Sequence, residues 1–112
     1  MAGNTKILES KDLTIASSGT TSDALDIQGN VLTAMIVPIM TGTTLTFSVS
    51  FDGTTYYNYY DQYGVQPSVT ISSTARYIEL DEEDFVGAQF IKVVSGSVEA
   101  AARTVTMIFR TL

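Results

Sequence analysis

The chain has no cysteine and no histidine among its 112 residues. Without cysteine there is no disulfide framework and no thiolate metal site. Without histidine the commonest general base and the commonest transition-metal ligand are missing together. Ser-His-Asp and Cys-His machinery are thereby excluded. Paired carboxylates and oxygen-ligand calcium sites survive these absences. Positive charge is also scarce: 6 Lys and Arg stand against 12 Asp and Glu, for a formal net charge of −6. Lys6, Lys11, Arg76, Lys92, Arg103 and Arg110 are scattered and form no patch that neutralises phosphates. Nucleic acid and anionic membranes are therefore not expected as partners. No apolar run approaches the ~20 residues that span a bilayer, and the stretch from Val31 to Met40 is interrupted by Pro38. The opening MAGNTKILESKDLTIA carries no apolar signal-peptide core. The expected place of synthesis is the cytoplasm, with export only as part of an assembly.

What is present suits one β domain. Hydrophobic residues make up 45% of the chain and charged residues 16%, enough to close a core in a single domain. Folding at this size buries roughly 65% of the unfolded surface. Low charge with abundant Ser and Thr fits a β surface that lies against other protein. The dominant period is two, which marks strands. In TLTFSVSF, Leu45, Phe47, Val49 and Phe51 share one face and Thr44, Thr46, Ser48 and Ser50 the other. Asp52-Gly53 follows and predicts a type I′ hairpin turn into a strand from Thr54 to Tyr60.

Further strands are predicted at Asp12 to Ala16, Ala24 to Gln28, Leu32 to Ile39, around Val69 and Ile71, and at Tyr77 to Leu80. Leu32 to Ile39 is apolar on both faces, so it reads as a central or interface strand, with Pro38 near its end. Gln89 to Val94 and Thr104 to Leu112 read as a closing hairpin joined by Ser95 to Ala102. Single helical turns are expected at most at Asp81 to Phe85 and Glu99 to Arg103. The expected fold is an all-β antiparallel sandwich or jelly roll of about eight strands over residues 11–112, behind a flexible arm of residues 1–10.

Five tyrosines crowd into eight positions: Tyr56, Tyr57, Tyr59, Tyr60 and Tyr63. On a strand, Tyr57 and Tyr59 point one way and Tyr56 and Tyr60 the other, so one pair is exposed. Such a cluster serves as an aromatic platform for protein or sugar, or else as ordinary cross-strand packing. Met35 and Val37 of the two-sided strand join the tyrosines as candidate protein-contact residues. The acidic run Asp81, Glu82, Glu83 and Asp84 offers calcium oxygens but lacks the spacing of an EF-hand, and reads as a solvated turn. A two-carboxylate glycosidase would draw on Asp52, Asp61 or that run, yet nothing sets two of them in a cleft. No enzyme activity, metal or cofactor is expected. Gly42, Gly53, Gly64, Gly87 and Gly96 sit in turn contexts and form no phosphate-binding motif.

The segments LTFSVSFDGTTYYNYYDQYG, RYIELDEEDFVGAQFIKVVSG and RTVTMIFR resemble small β-sandwich structural proteins of tailed bacteriophage virions. The resemblance covers about the last two thirds of the chain. It runs through Ser50, Asp52, Gly53, Phe85, Gly87, Lys92, Ser95 and Gly96. Relatives often carry Arg before the Ser-Gly pair and Gln in the loop after it. Val94 and Glu99-Ala100 stand there in this chain, so contacts of those groups are not carried over. The resemblance implies a capsid decoration, or cement, protein on the outer shell of the virion. Its partner would be the major capsid protein, and such proteins are often trimers. A glycan-binding module of a phage tail or fibre is the alternative, since it too would be an acidic β-sandwich with exposed tyrosines.

Overall fold

A computed structural model of the chain describes residues 8–71 and 74–110. Nine strands follow in order: β1 (Leu8–Ile15), β2 (Leu25–Asp26), β3 (Val31–Val37), β4 (Thr44–Ser50), β5 (Tyr57–Asn58), β6 (Val69–Thr70), β7 (Arg76–Glu79), β8 (Phe90–Ser95) and β9 (Arg103–Arg110). They form two antiparallel sheets, one ordered β1-β9-β3-β7 and the other β2-β8-β4-β5, with β6 also paired to β4. Counting β5 and β6 as one interrupted strand gives eight strands, nearly all alternating between sheets. This is the expected sandwich with jelly-roll topology. Met1 to Ile7 of the expected arm lie outside the described residues, as do Thr111 and Leu112 of the last strand, while Leu8 to Ser10 belong to β1.

The inner faces are built by alternation. Leu13 and Ile15, Leu45 and Phe47, Ile91 and Val93, and Val105 and Met107 all lie in one core. β3 breaks the rule once. Its pairing to β9 shifts register between Leu32 and Ala34, so Thr33 is the extra residue of a β-bulge. The bulge turns Leu32, Met35 and Val37 inward on a strand that is apolar on both faces. Met35 and Val37 are 0% exposed. They are core residues and not the contact residues that their two-sided strand suggested. Pro38 follows directly on the end of β3, where no ladder donor is lost.

Two further expectations, the closing hairpin and the place of Phe51, are corrected. β8 and β9 do not form a hairpin: β8 pairs with β2 and β4, while β9 pairs with β1 and β3 in the opposite sheet. The residues between them cross from sheet to sheet. Of the helical turns that the sequence allowed at most, neither forms among the described residues, in keeping with the all-β expectation. The run Asp81 to Ala88 is a chain of i→i+3 turns, in which Asp84 N–H donates to Asp81 O and Ala88 N–H to Phe85 O. Phe51, placed by alternation on the inner face, is 79% exposed because β4 ends at Ser50.

The crossover between β8 and β9 is fixed by Glu99, which is 0% exposed. Its carboxylate accepts from Thr41 N–H at 2.8 Å, Gly42 N–H at 3.0 Å, Ser95 Oγ at 2.7 Å and Arg103 Nε at 2.9 Å. Its own backbone donates to Gly19 O and accepts from Ser18 N–H. One residue thus ties together the β1–β2 loop, the β3–β4 loop, the end of β8 and the start of β9. Gly42 is required for space: a Cβ there would collide with Ser95 Oγ and stand 3.3 Å from Glu99 Oε2.

Burial alone would raise the Glu99 pKa, but the Thr41 and Gly42 N–H groups, the Ser95 hydroxyl and Arg103 outweigh it. Together they hold it at about 2, against an ordinary 4.5. A depressed carboxylate contributes stability that is fully present above its unfolded pKa and is lost as pH falls through the folded one. The window runs from about 4.5 down to about 2 and is worth about 3 kcal/mol. Glu99→Gln should therefore lower stability at neutral pH by about 3 kcal/mol and flatten the acid limb of the stability curve. Urea unfolding of both proteins across that window measures this, and parallel curves would refute the assignment.

Candidate interaction surface

The tyrosine-rich segment begins at a turn organised by two side chains. Ser50 Oγ accepts from Asp52 N–H at 3.2 Å and Gly53 N–H at 2.9 Å, and donates to Asp52 Oδ1 at 2.9 Å. Asp52 Oδ1 in turn accepts from Thr54 N–H at 2.9 Å and Thr55 N–H at 3.1 Å. Those N–H groups, with the Ser50 hydroxyl, hold the Asp52 carboxyl below its ordinary range. Gly53 has φ +81°, and a Cβ would lie 3.1 Å from the Phe90 ring. Asp52 is not in the left-handed region, so the turn is not type I′. The hairpin itself is present. Its second strand begins only at Tyr57, because the side-chain-capped turn consumes the residues up to Tyr56, and it ends with Tyr59 N–H donating to Phe47 O.

At so short an edge strand, alternation does not decide which tyrosines are covered. Tyr56 is half-buried, with Lys92 Nζ 4.2 Å from its ring centroid. Tyr59 folds onto Phe85 with centroids 5.1 Å apart, and Phe85 meets Phe47 edge-on at 4.9 Å. Tyr57, by contrast, is 63% exposed. Tyr57 and Tyr59 stand opposite Val49 and Phe47 on one face, as alternation expects, but only Tyr59 is packed, so they are not an exposed pair. Burial raises the Tyr59 pKa, with Asp84, Asp61 and Asp81 adding to it. Asp84 is likewise raised, by burial first and then by Asp81, Asp61 and Glu83.

The exposed residues gather on the loop that follows. Asp61 Oδ1 accepts from Tyr63 N–H at 2.8 Å and Val65 N–H at 2.9 Å. Asp61 N–H donates to Val65 O and Gly64 N–H to Asp61 O, while Gly64 takes φ +81°. The result is a closed loop in which the N–H groups of Asp61, Tyr63, Gly64 and Val65 are all bonded and the side chains are turned out. Tyr60 is 52% exposed, Tyr63 81%, and Val65 is also in solvent. Nothing in the sequence pattern singles out Val65. The Asp-x-x-Gly spacing from Asp61 to Gly64 is the signal that would have found the loop.

The remaining candidates are placed as follows. Gly87 and Gly96 lie in turns, without positive φ. Asp52 and Asp61 both spend their carboxylates on capping their own turns. Among the described residues no group of three or more Asp and Glu is arranged to hold a metal ion. A cleft of about 330 Å³ opens between the sheets beside β6 and β7, with Phe47 and Phe85 at its base and Arg76, Glu79, Asp81 and Asp84 around it. No helix among the described residues is long and apolar enough to cross a membrane.

No protein-family model matches the chain, and no curated protein matches it. Solved structures do. The SPBc2 prophage-derived protein YomS overlaps with a TM-score of 0.58 at 12% identity, over 94% of this chain and 96% of that one. That likeness is one of fold. A disulfide-linked pilus protein of Bacillus endospore appendages gives a TM-score of 0.41 at 13% identity, over 100% of this chain and 96% of the other. The Yersinia pseudotuberculosis-derived mitogen gives 0.38 at 11%, over 96% and 88%. Overlaps that low carry no argument about this chain.

The loop makes a direct prediction. Asp61→Ala removes the one oxygen that accepts from two N–H groups of an exposed loop, so Tyr60 and Tyr63 should become faster sites for chymotrypsin. Global stability should fall by only ~1 kcal/mol, since the loop is separate from the core. Cleavage rates unchanged from wild type would show that the carboxylate does not order the loop.

Proposed function

We propose that this chain is a structural protein of a phage virion, a decoration protein that binds the major capsid protein on the outer shell and strengthens it. The observation that carries this reading is the preorganised aromatic loop, with Tyr60, Tyr63 and Val65 held outward by Asp61. Tyrosines are enriched at protein interfaces because they combine a large apolar face with a hydroxyl and lose little rotamer entropy. A loop already closed by its own hydrogen bonds pays little further ordering cost on docking. The −6 charge also supports the role, since it discourages adhesion to packaged nucleic acid. The fold shared with a prophage-derived protein is in keeping with a phage origin. The glycan-binding alternative is weakened, because its stacking pair, Tyr57 and Tyr59, is divided between solvent and the Phe85 contact.

Quantitative mass spectrometry of purified virions, calibrated against the major capsid protein, tests the role. A count in the hundreds is expected. A few to a few tens of copies would point to tail or fibre, and absence from the particle would end the virion reading. Tyr63→Ala should weaken binding to undecorated shells ~10-fold or more, as loss of an interface anchor does, with unfolding unchanged.

A further inference from the structure

The sheet ordered β1-β9-β3-β7 ends in β1, an eight-residue strand whose outer side is paired only at its end, in a bridge from Ile15 to Ser22. Its register to β9 is unbroken from Leu8 to Ile15. Which peptide groups point to the open side is settled at Thr14. Thr14 N–H donates to Asp23 Oδ1 at 2.7 Å, and Thr14 O accepts from Asp23 N–H at 3.4 Å. Thr14 thus faces away from β9, and by the two-residue period so do Asp12, Ser10 and Leu8. Asp23 covers the edge at Thr14. Among the described residues nothing pairs with the edge from Leu8 to Asp12. That window is five residues long, has Ser10 at its centre, and contains neither proline nor a bulge.

We infer that this edge pairs with the same edge of a second copy, antiparallel and centred on Ser10, joining two four-stranded sheets into one. The charge pattern selects that register. With Ser10 facing Ser10 of the other copy, Glu9 faces Lys11 and Lys11 faces Glu9, giving two opposite-charge pairs. Moving the centre to residue 9 sets Glu9 against Glu9. Moving it to residue 11 sets Lys11 against Lys11 and drives Leu8 into the Asp23 cap. In the centred register the pairs Leu8–Asp12, Ser10–Ser10 and Asp12–Leu8 are hydrogen-bonded, about six bonds in all. Glu9 and Lys11 then occupy the non-hydrogen-bonded positions, where facing side chains come closest. A lone edge lysine normally blocks strand addition. Here Glu9 sits where a two-fold neutralises it. The occupant is thus a second copy, since the complementarity is of the strand with itself.

Native mass spectrometry and light scattering of the purified protein across a dilution series test the pairing without any shell. A dimer is expected, in contrast to the trimer that the phage resemblance implies, because a simple three-fold ring has no two-fold between its copies. Ser10→Pro removes an N–H that bonds nothing within the copy, so the fold should persist while the dimer dissociation constant rises at least ~10-fold. Glu9→Lys or Lys11→Glu alone should weaken the dimer, and the two together should restore it to within ~3-fold of wild type. A monomer at every concentration, a trimer, or a dimer indifferent to Ser10→Pro would each overturn the pairing. These readouts do not depend on whether the chain decorates a capsid.

Discussion

A carboxylate with no exposure must be given donors or lose its charge, and the ends of four segments are arranged around that demand. Glu99 draws its donors from Thr41, Gly42, Ser95 and Arg103, and its own peptide group holds Ser18 and Gly19. These residues belong to both sheets and to the loops that cross between them. Hydrophobic burial brings two sheets together but is non-directional, so it does not fix how one sheet is set over the other. A hydrogen-bonded carboxylate does. The residues that enclose it follow from the same demand. Gly42 must lack a Cβ for the chain to approach Ser95 and Glu99, and Arg103 must open β9 so that its guanidinium reaches back over the crossover.

Phe85 is a second organising residue, of a different kind. The run from Asp81 to Ala88 closes as turns, with Asp81 Oδ1 accepting from Glu83 N–H. That leaves Phe85 as its one buried side chain, set between Phe47 of β4 and Tyr59 beyond β5. The acidic residues before it stay near water, apart from Asp84, whose raised pKa reflects burial and its anionic neighbours. The acidic run is therefore a tether for an aromatic plug, and Tyr59 is recruited to that plug and away from the surface.

Strand existence was legible wherever residues alternate over five or more positions, as in β4, β8 and β9, since the inner face must be apolar and the period is two. Failures came where something non-periodic intervened. The Thr33 bulge shifts parity within β3, so Met35 and Val37 point inward although composition alone allowed either face. The Asp52 turn consumes residues that propensity assigns to β5, and the tyrosines beyond it follow local contacts. Glu99 and Arg103, four apart, look like a helical ion pair. They meet instead across a crossover, because Glu99 is satisfied by residues near 41 and 95 that no local pattern connects to it. The Asp61 to Gly64 spacing was readable as a turn. That it presents Tyr63 to solvent depends on where the shortened β5 ends.

The two surfaces that look outward lie on opposite flanks of the sandwich. β1 runs beside β2, since Glu9, Lys11 and Asp26 line one groove, whereas β6 and β7 flank the other side, where Val69 and Arg76 border a cleft. The Asp61 loop belongs to that second side, being the connection from β5 to β6. The proposed self-pairing edge and the proposed partner-binding loop therefore would not compete for space. On that proposal, a weak contact at each would become a strong one on a repeating surface, because a copy held at its loop would meet its neighbour's edge at high effective concentration. A small chain with low charge and no cysteine does not need great affinity at either face for this to work. It needs both faces to be rigid, and the Glu99 and Phe85 anchors supply rigidity to the sheets that carry them.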